Sequence, residues 1–506
     1  MSSSLNAARR AAELGRSRET VADLLVVGLG ATGAGVALDA AARGLSVVAI
    51  DAHDLAFGTS RWSSKLIHGG LRYLAKGQVG VAWESAVERG ALLRHTAPHL
   101  VRAQPYLLPL TPEVPAAQAA MMMAGYRMGD ALRAAAGTPR RTLPGPLRVP
   151  ASRARELVPA LREAGLRGGL VSFDGRVVDD ARLVVAVART AAAHGARILT
   201  RCRALSLSGA GAEARDELTG ETFTLRARKV INATGVWAGE LSGSVRVRPS
   251  RGTHLVLREG ALGPLRTGMH VPIPGEVARF VLVLPQQDGR VLVGLTDEPL
   301  DGPVPDVPEA PESDIVFLLD VLGSVLQAPL GRDDVAGAYA GLRPLLDGGG
   351  PTADLSRRHT VLTAPDGVVT IVGGKLTTYR RMAQDAVDAA VPEAPRSRTA
   401  RLPLVGASSV PGGRPEPVPG DVPRRLAERY GHEAAAVRRL ALEEPWAAGE
   451  LPLGVTAAEL VWAVRHEGAL DAADLLDRRT RIGLVPEDRA AALPVAERII
   501  REVSGS

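Results

Sequence analysis

The clearest pattern of apolar and polar positions lies near the start of the chain. Asp23–Gly28 is a short apolar run of strand type, and an Ala-rich segment of helical composition follows as far as Arg43. A second β-branched run, Ser46–Ile50, then ends on Asp51. This alternation, with glycines between the first run and the helix, predicts a strand–turn–helix–strand unit.

The glycines of this turn fall at the three positions that a dinucleotide-binding unit requires. Gly28 permits the tight turn, Gly30 lets the backbone approach a pyrophosphate, and Gly33 lets the helix pack against the strand. The amino end of the helix offers amide donors and the positive end of its dipole. Asp51 is placed to accept hydrogen bonds from the adenosine ribose. The unit therefore predicts a site for the ADP half of a dinucleotide.

Beyond this unit the periodicity predicts helices and strands of two kinds. Helices are expected at Val79–His95, Met121–Ala136 and Asp179–His194, and strands at Arg197–Leu207, Lys229–Asn232 and Val368–Gly373. Three further strand-like runs follow one another without a long helix, at His254–Leu257, Phe280–Leu284 and Val291–Gly294. Neighbouring strands with no helix between them indicate an antiparallel sheet.

The order of these segments predicts the domain organisation. Nucleotide-type strands recur near residues 25, 50, 200, 230 and 370 with other material between them, which predicts an α/β protein with a discontinuous Rossmann-like domain. Such an arrangement is more typical of flavoproteins than of NAD dehydrogenases. The expected boundaries are 1–20 for a flexible amino-terminal extension and 21–75, 166–245 and 336–398 for the discontinuous dinucleotide-binding domain. Residues 76–165 and 246–335 are expected to form substrate-binding or cap regions with the antiparallel sheet, 399–420 a Pro- and Gly-rich linker, and 421–506 an all-helical C-terminal domain.

Composition narrows the class of protein. The 506 residues are 46% hydrophobic, as expected for a soluble protein, and the net charge of +6 is too small for this length to argue for nucleic acid. Cys202 is the only cysteine, so no intrachain disulfide can form and a reducing compartment such as the cytoplasm fits. No apolar run is long enough to span a bilayer, and no Cys/His cluster has the spacing of a metal site, so we expect no metal.

Several motifs resemble one family. The run SSKLIHGGLRYL at residues 63–74 is similar to the flavin-proximal signature of FAD-dependent glycerol-3-phosphate dehydrogenases of the aerobic, flavoprotein type. Five more motifs are similar to the same family: VVDDARLV (Val177–Val184), INATGVWA (Ile231–Ala238), GLRPL (Gly341–Leu345), VGGKLTTYR (Val372–Arg380) and DLLDRRTRIGL (Asp474–Leu484). Two departures are visible: the first turn reads GLGATG where three consecutive glycines are usual, and the amino terminus is extended.

The resemblance implies oxidation of sn-glycerol 3-phosphate to dihydroxyacetone phosphate, with hydride transfer to N5 of a noncovalent FAD and electrons passed to a quinone or similar acceptor. Arg72 and Arg343 suit the phosphate because a guanidinium binds two phosphate oxygens at once. Tyr73 is a further candidate for a substrate hydrogen bond. His254 is the candidate proton acceptor, since histidine titrates near neutral pH, and His68 is its rival. Lys375 is expected to contact substrate or to stabilise the reduced flavin anion.

The same resemblance implies which residues hold the cofactor. They are Gly28, Gly30, Thr32, Gly33, Asp51, Ser63, Ser64, Lys65, Ile67, His68, Gly69, Gly70, Ala204, Ala233, Thr234, Gly235, Trp237, Gly374, Lys375, Leu376 and Thr377. Asp179, Asp180 and Arg182 are interpreted as structural, because a helix amino terminus favours Asp on charge grounds alone. The role of Asp297 is left open: it is either a turn residue or a partner of a residue in the site.

Three other functions remain open at this point. An oxidase on the same fold would return electrons to oxygen, and sequence motifs do not separate it from a dehydrogenase. An amino-acid oxidase of the wider superfamily could use Arg343 for a carboxylate, although Arg72, Arg343 and Lys375 together form a set typical of a phosphate site. The third alternative is a non-catalytic module that binds flavin or docks on a membrane. The resemblance also raises a homodimer and a peripheral contact with the inner face of the cell membrane, without a visible anchor in the sequence.

Overall fold

The computed structural model describes residues 2–504, apart from residues 71, 72, 74–76, 244, 277, 278, 348–357 and 408–421. The α-helices of this part of the chain are α1 (Ala7–Glu19), α2 (Ala31–Ala42), α3 (Val79–Ala91), α4 (Ala116–Ala135), α5 (Ala151–Leu157), α6 (Asp180–Ala193), α7 (Ala238–Leu241), α8 (Glu312–Gly323), α9 (Tyr379–Ala390), α10 (Arg424–Tyr430), α11 (Ala434–Glu443), α12 (Ala457–His466) and α13 (Pro486–Ser504).

The strands fall into two large sheets and one small hairpin. They are β1 (Val21–Val27), β2 (Val47–Ile50), β3 (Leu66–Ile67), β4 (Val101–Pro109), β5 (Leu147–Val149), β6 (Gly169–Val177), β7 (Arg197–Leu199), β8 (Cys202–Ser208), β9 (Gly211–Asp216), β10 (Thr222–Asn232), β11 (Val247–Leu257), β12 (Gly268–Pro272), β13 (Phe280–Pro285), β14 (Val291–Gly294), β15 (Glu298–Pro299), β16 (Val335–Leu346), β17 (Thr360–Thr363), β18 (Val369–Val372), β19 (Glu450–Leu451) and β20 (Val455–Thr456).

The first sheet is the nucleotide-binding layer. Its strands run in the order β17-β18-β10-β1-β2-β7, with β8 and β9 added beside β10. Strand β1 pairs in parallel with β2 on one side and with β10 on the other. Both faces of β1 are covered, because Leu24 and Val26 pack with helices α2, α6 and α9 while Leu25 and Val27 pack into a second cluster. This burial on two faces explains the almost continuous apolar run DLLVVG.

The second sheet forms the other wall of the molecule. Its order is β15-β11-β14-β13-β12-β4-β6-β3, with β16 beside β11 and β5 beside β6. All pairs are antiparallel except β12 with β4. Helix α8 covers one face through Ile315, Leu318 and Leu322. The predicted antiparallel sheet is therefore confirmed, with one parallel pair added.

The C-terminal residues form a separate helical layer. Helices α12 and α13 pack together through Leu460, Val464, Ala492 and Ile499. The predicted fold class, an α/β protein with a discontinuous Rossmann-like layer, an antiparallel sheet and a C-terminal helical domain, is confirmed by these elements. The C-terminal domain is not all-helical as predicted, because it also contains the short hairpin of β19 and β20. None of the described helices is long and apolar enough to cross a membrane.

Three expectations about boundaries need correction. The expected flexible extension contains α1, which is packed onto the first sheet: Leu14 is buried there, and the buried Arg10 pairs with Asp216. Strand β6 belongs to the second sheet rather than to the nucleotide layer, and so does β16. The single strand expected at Arg197–Leu207 is two strands, β7 and β8, separated by Arg201 at a φ of +54°. A local sequence pattern predicts that a strand forms, but it does not say which distant strand it pairs with, so it cannot assign the strand to a sheet.

Candidate active site

A cavity of about 690 Å³ lies between the two sheets. We call it the cleft. Its walls come from the β1–α2 turn, from residues 51–64 after β2, from the middle of β11, from the carboxyl half of β16 and from the segment after β18. Its size is in the range of small-molecule and cofactor sites, and it is lined on both sides by polar groups among apolar ones.

The glycines of the β1–α2 turn, which we call the glycine cradle, have the close packing that the sequence predicts. Gly28 has a φ of +99°, and a Cβ atom there would lie 2.7 Å from the carbonyl oxygen of Ala233. A Cβ atom on Gly33 would lie 1.8 Å from the carbonyl oxygen of Gly28. Helix α2 begins just after Gly30, with its amino end at the cleft. Only glycines fit this close approach of turn, helix and strand, and the amino end of the helix is suited to a pyrophosphate.

Asp51 lies at the end of β2 and lines the cleft. Its carboxylate accepts hydrogen bonds from the Leu29 amide at 2.6 Å and from the His53 amide at 2.8 Å. Burial raises the pKa of Asp51 to about 6, although both amide bonds favour the charged form. The carboxylate thus fixes the β1–α2 turn, and it lines the end of the cleft where Ala204 also lies.

The segment after β18 approaches the cleft through two left-handed glycines. Gly373 and Gly374 have φ angles of +83° and +74°. The ammonium group of Lys375 donates a hydrogen bond to the Ser85 hydroxyl of α3 and lies 4.1 Å from the centre of the Tyr73 ring. Both contacts hold a positive charge at this wall of the cleft, because the ring face and the hydroxyl oxygen favour a cation.

His254 lies on β11, opposite Gly294 of β14 and Tyr339 of β16. Its Nε2 is hydrogen-bonded to the Ser64 hydroxyl at 2.8 Å, and its ring stacks on Tyr339 with the centroids 4.9 Å apart. Burial lowers the pKa of His254 well below 6.5, and the charges of Lys65 and Arg343 lower it further. A neutral imidazole in the cleft is able to accept a proton.

Arg343 lies on β16 directly beside Ser250 of β11. Its Nη1 donates to Asp297 Oδ1 at 3.0 Å and to the Ser250 hydroxyl at 3.1 Å, while Nη2 donates to the Thr296 carbonyl at 3.2 Å. Asp297, left unassigned by the sequence, is therefore the partner that orients the Arg343 guanidinium at the cleft wall. A guanidinium fixed in this way is suited to an anionic oxygen group.

Most of the predicted residues meet in this one place. Those that line the cleft are Gly28, Gly30, Thr32, Asp51, Ser63, Ser64, His68, Tyr73, Ala204, Ala233, Thr234, Gly235, Trp237, His254, Arg343, Gly374, Lys375, Leu376 and Thr377. The backbone amide of His68 donates to the Thr377 hydroxyl at 3.1 Å, which ties together two motifs that are far apart in sequence. Arg72 lies outside the described residues.

Five predicted cofactor residues lie behind the cleft wall rather than in it: Gly33, Lys65, Ile67, Gly69 and Gly70. The expectation for the Lys65 side chain needs correction, because its ammonium group is buried and donates to Asp180 Oδ2 at 2.8 Å. Burial lowers the pKa of Lys65 to about 8, and the Asp180 charge opposes that shift. Lys65 therefore supports the loop from behind. The Asp179 side chain caps α6, as its interpretation as a structural residue predicted.

The sequence missed several cleft residues. Tyr106 and His270 stack with their ring centroids 5.2 Å apart, and Asp174 lines the same wall while accepting a hydrogen bond from Arg89. Burial lowers the pKa of His270 to about 4. A carboxylate inside the apolar strand β6 was the one available signal for Asp174. Tyr106 and His270 gave none, since each is a lone aromatic or imidazole group in a strand.

The described residues contain no group of three or more His, Cys, Asp or Glu side chains placed to hold a metal ion. The cleft instead combines an anion-binding helix end, two fixed cations and a neutral imidazole. The packing of the glycine cradle also fits a dinucleotide. Side chains at Gly28 or Gly33 would collide with the neighbouring backbone, so this turn keeps the close approach of strand and helix that a dinucleotide site requires.

Comparison with known proteins agrees with this geometry. The model of the family "FAD dependent oxidoreductase" matches residues 23–380, and that of "C-terminal domain of alpha-glycerophosphate oxidase" matches residues 397–505. Glycerol-3-phosphate dehydrogenase 1 of Mycobacterium tuberculosis is 53% identical over 99% of both chains. Glycerol-3-phosphate dehydrogenase of Mycobacterium leprae is 37% identical over 97% of this chain and 86% of its own.

A solved structure has the same architecture throughout. The glycerol-3-phosphate dehydrogenase from Bacillus halodurans, complexed with FAD, superposes with a TM-score of 0.75 at 27% identity, covering 99% of this chain and 94% of that one. The FAD-binding cradle, the second sheet and the C-terminal helices thus occur together in one known arrangement. The chain belongs to the family of FAD-dependent glycerol-3-phosphate dehydrogenases.

Proposed function

We propose that this protein oxidises sn-glycerol 3-phosphate to dihydroxyacetone phosphate with noncovalent FAD and passes the electrons to a quinone or similar acceptor. The observation that carries the proposal is the meeting of Arg343, Lys375 and a neutral His254 in the same cleft as the glycine cradle. Fixed cations suit a phosphate, and a neutral base suits a secondary alcohol beside it. The names of the relatives support the same substrate.

Each of these residues has a separate task in the proposed reaction. Arg343, oriented by Asp297, binds the phosphate and aligns the substrate, and Arg72 is expected from the resemblance to bind it too. His254 accepts the proton of the C2 hydroxyl as the hydride leaves C2. FAD supplies the hydride acceptor, and Lys375 stabilises negative charge at the same wall of the cleft.

His254 is favoured over His68 as the proton acceptor. Its ring is fully buried, fixed between Ser64 and Tyr339, and kept neutral by burial. His68 is half-buried, its ring stacks on Tyr73 with the centroids 6.3 Å apart, and its backbone amide donates to Thr377. A buried, oriented and neutral imidazole is suited to accept a proton.

We also propose that helix α3 makes a peripheral contact with the inner face of the cell membrane. Its outer face exposes Val79, Trp83 and Val87, which are 57%, 42% and 37% exposed and follow one another at four-residue spacing. Its inner face carries Ser85, bonded to Lys375, and Glu88, which pairs with Arg380. An apolar stripe with a tryptophan is typical of interfacial helices, and quinones are dissolved in the bilayer. A homodimer stays a prediction.

The function is tested with an anaerobic absorbance spectrum of the holoprotein. We expect sn-glycerol 3-phosphate to bleach the flavin band, and glycerol or sn-glycerol 1-phosphate to leave it unchanged. A quinone should then restore the band much faster than air, whereas fast recovery in air alone would indicate an oxidase. A band that glycerol 3-phosphate does not bleach would contradict the substrate.

The membrane contact is tested by flotation with vesicles of phosphatidylcholine and phosphatidylglycerol. We expect the holoprotein to float with the vesicles and Trp83→Ser to stay in solution, with Leu442→Ser as the control because Leu442 is an exposed apolar residue of the C-terminal domain. Equal flotation of Trp83→Ser and the unchanged protein would contradict the assignment of this face.

A further inference from the structure

Residues 51–64, which we call the cleft loop, have two faces. One face lines the cleft through His53, Phe57, Trp62 and the residues around them. Asp54 points the other way: it is fully buried and is not among the residues that line the cleft. The loop is thus held from the side that faces away from the cleft.

The partners of Asp54 come from the C-terminal domain. Its Oδ2 accepts hydrogen bonds from Arg478 Nε at 2.6 Å and Arg479 Nη1 at 2.7 Å, and its Oδ1 accepts one from Arg479 Nη2 at 2.8 Å. Burial raises the pKa of Asp54, but the two guanidinium groups outweigh it and hold the pKa well below its usual range. The carboxylate is therefore charged, bidentate and fixed.

Two further contacts join the same two segments. We call residues 474–481 the arginine segment. Arg481 donates to the Arg61 carbonyl of the cleft loop. Arg201 bridges the two, since its backbone amide donates to the His53 carbonyl at 2.7 Å and its side chain donates to Asp474 at 2.7 Å. The loop is held by the arginine segment near both of its ends.

Inside the loop, Ala56 has a φ of +61°, which an alanine adopts only where the surroundings impose it. Arg61 lies over Trp62, with its guanidinium carbon 4.1 Å from the ring centre, and its Nε donates a hydrogen bond to the Phe57 carbonyl at 2.8 Å. The conformation that places Phe57 and Trp62 against the cleft is thus held by Arg61 from inside the loop and by the arginine segment from outside it.

The family model matched to residues 397–505 covers the arginine segment, yet the described residues of that domain contribute no side chain to the cleft. We propose that the C-terminal domain sets the affinity for FAD: Arg478 and Arg479 act as positioning residues that hold the cleft loop through Asp54. FAD affinity then depends on residues that never touch FAD. The inference rests on FAD as the cofactor and is independent of the substrate.

The first test is a titration of the apoprotein with FAD, followed by flavin fluorescence without substrate. We expect Asp54→Asn to weaken FAD binding about tenfold and Arg478→Gln, which keeps the Arg479 pair, to weaken it about threefold, the size of effect that changes remote from a ligand have. The control is Glu433→Gln, which breaks the pair with Arg189 at 2.6 Å between the same domain and α6.

Folding is followed by circular dichroism of each apoprotein. Folded Asp54→Asn and Arg478→Gln proteins that bind FAD as tightly as the unchanged protein would overturn the proposal, and so would an equal loss in Glu433→Gln. If Asp54→Asn fails to fold, Arg478→Gln and the next measurement decide.

The second test uses the unchanged protein and amide hydrogen exchange. Coupling between two sites is reciprocal, so FAD bound in the cleft must stabilise the arginine segment. We expect FAD to slow exchange in residues 52–64 and in residues 474–481, and to leave α11 of the same domain unchanged. Protection limited to residues that line the cleft would overturn the proposal. Neither test uses substrate, so the result of each does not depend on whether the proposed reaction is correct.

Discussion

Asp297 Oδ1 lies 3.0 Å from Nη1 of Arg343, so the arginine that faces the cleft is already paired with a carboxylate. Ser250 is bonded to both members of this pair. The pair fixes the plane of the guanidinium before a ligand arrives, and the carboxylate partly offsets its charge. Orientation is therefore the larger contribution of Asp297, and the phosphate needs a second cation nearby.

Arg343→Ala should raise KM for glycerol 3-phosphate about 100-fold, because a charge-assisted pair of hydrogen bonds is lost and Asp297 is left without its cation. Arg343→Lys should recover only part of the loss, since an ammonium group cannot form the same fork. Steady-state kinetics check both. Arg251→Ala is the control, because Arg251 is on the same strand as Ser250 but binds Asp314. A loss in kcat with KM unchanged would contradict the phosphate role.

His254→Gln should lower kcat about 1000-fold, within the range for a lost general base, and should leave the affinity for FAD unchanged. The matched variant is His68→Gln, for which we expect a much smaller loss. Single-turnover reduction of the flavin measures the step directly. A larger loss in His68→Gln would transfer the proton-acceptor role to that residue.

The pH dependence of kcat follows from the same imidazole. Because burial holds the pKa of His254 well below 6.5, the histidine is neutral above that pH and is charged only at distinctly lower pH. The flavin reduction rate at saturating substrate should therefore stay constant as the pH falls from 8 through 6.5, and decrease only below. A rate that is already halved at pH 6.5 would contradict a buried, neutral base.

Asp51→Asn should weaken FAD binding about tenfold, because ribose hydroxyls donate more strongly to a carboxylate than to an amide. Since burial raises the pKa of Asp51 to about 6, the carboxylate is present above that pH and is lost below it. FAD affinity of the unchanged apoprotein should fall as the pH drops from 7 to 5, and that of Asp51→Asn should change less. Parallel pH curves for the two proteins would contradict the role of Asp51.

Ser85→Ala should lower kcat/KM about tenfold, because the Lys375 ammonium loses a hydrogen-bond acceptor and its fixed position over Tyr73. Ser324→Ala is the control: both hydroxyls also donate to a carbonyl of the adjoining helix, at 2.7 Å, but Ser324, which directly follows α8, does not line the cleft. Equal kinetics for Ser85→Ala and the unchanged protein would show that Tyr73 alone positions Lys375.

The sequence by itself determined the features whose causes are local. The glycine cradle could be read because turn, helix start and strand end lie within a few residues of one another, and the capping box of α12 joins Thr456 to Glu459 across one helical turn. Most of the residues identified from the motifs of the family resemblance line the cleft. The pattern of apolar runs also predicted a parallel and an antiparallel sheet and a helical C-terminal domain.

Only the tertiary structure decided which distant groups meet. The partner of Arg343 is Asp297, that of Lys65 is Asp180, and those of Asp54 are Arg478 and Arg479, more than 400 residues away. Helix α1 is polar and arginine-rich, so its sequence suggested a free tail, and the buried pair of Arg10 with Asp216 made it part of the fold. Charged side chains carry no signal of their partner in a local pattern, because the same arginine is equally suited to solvent or to any carboxylate that the fold brings within reach.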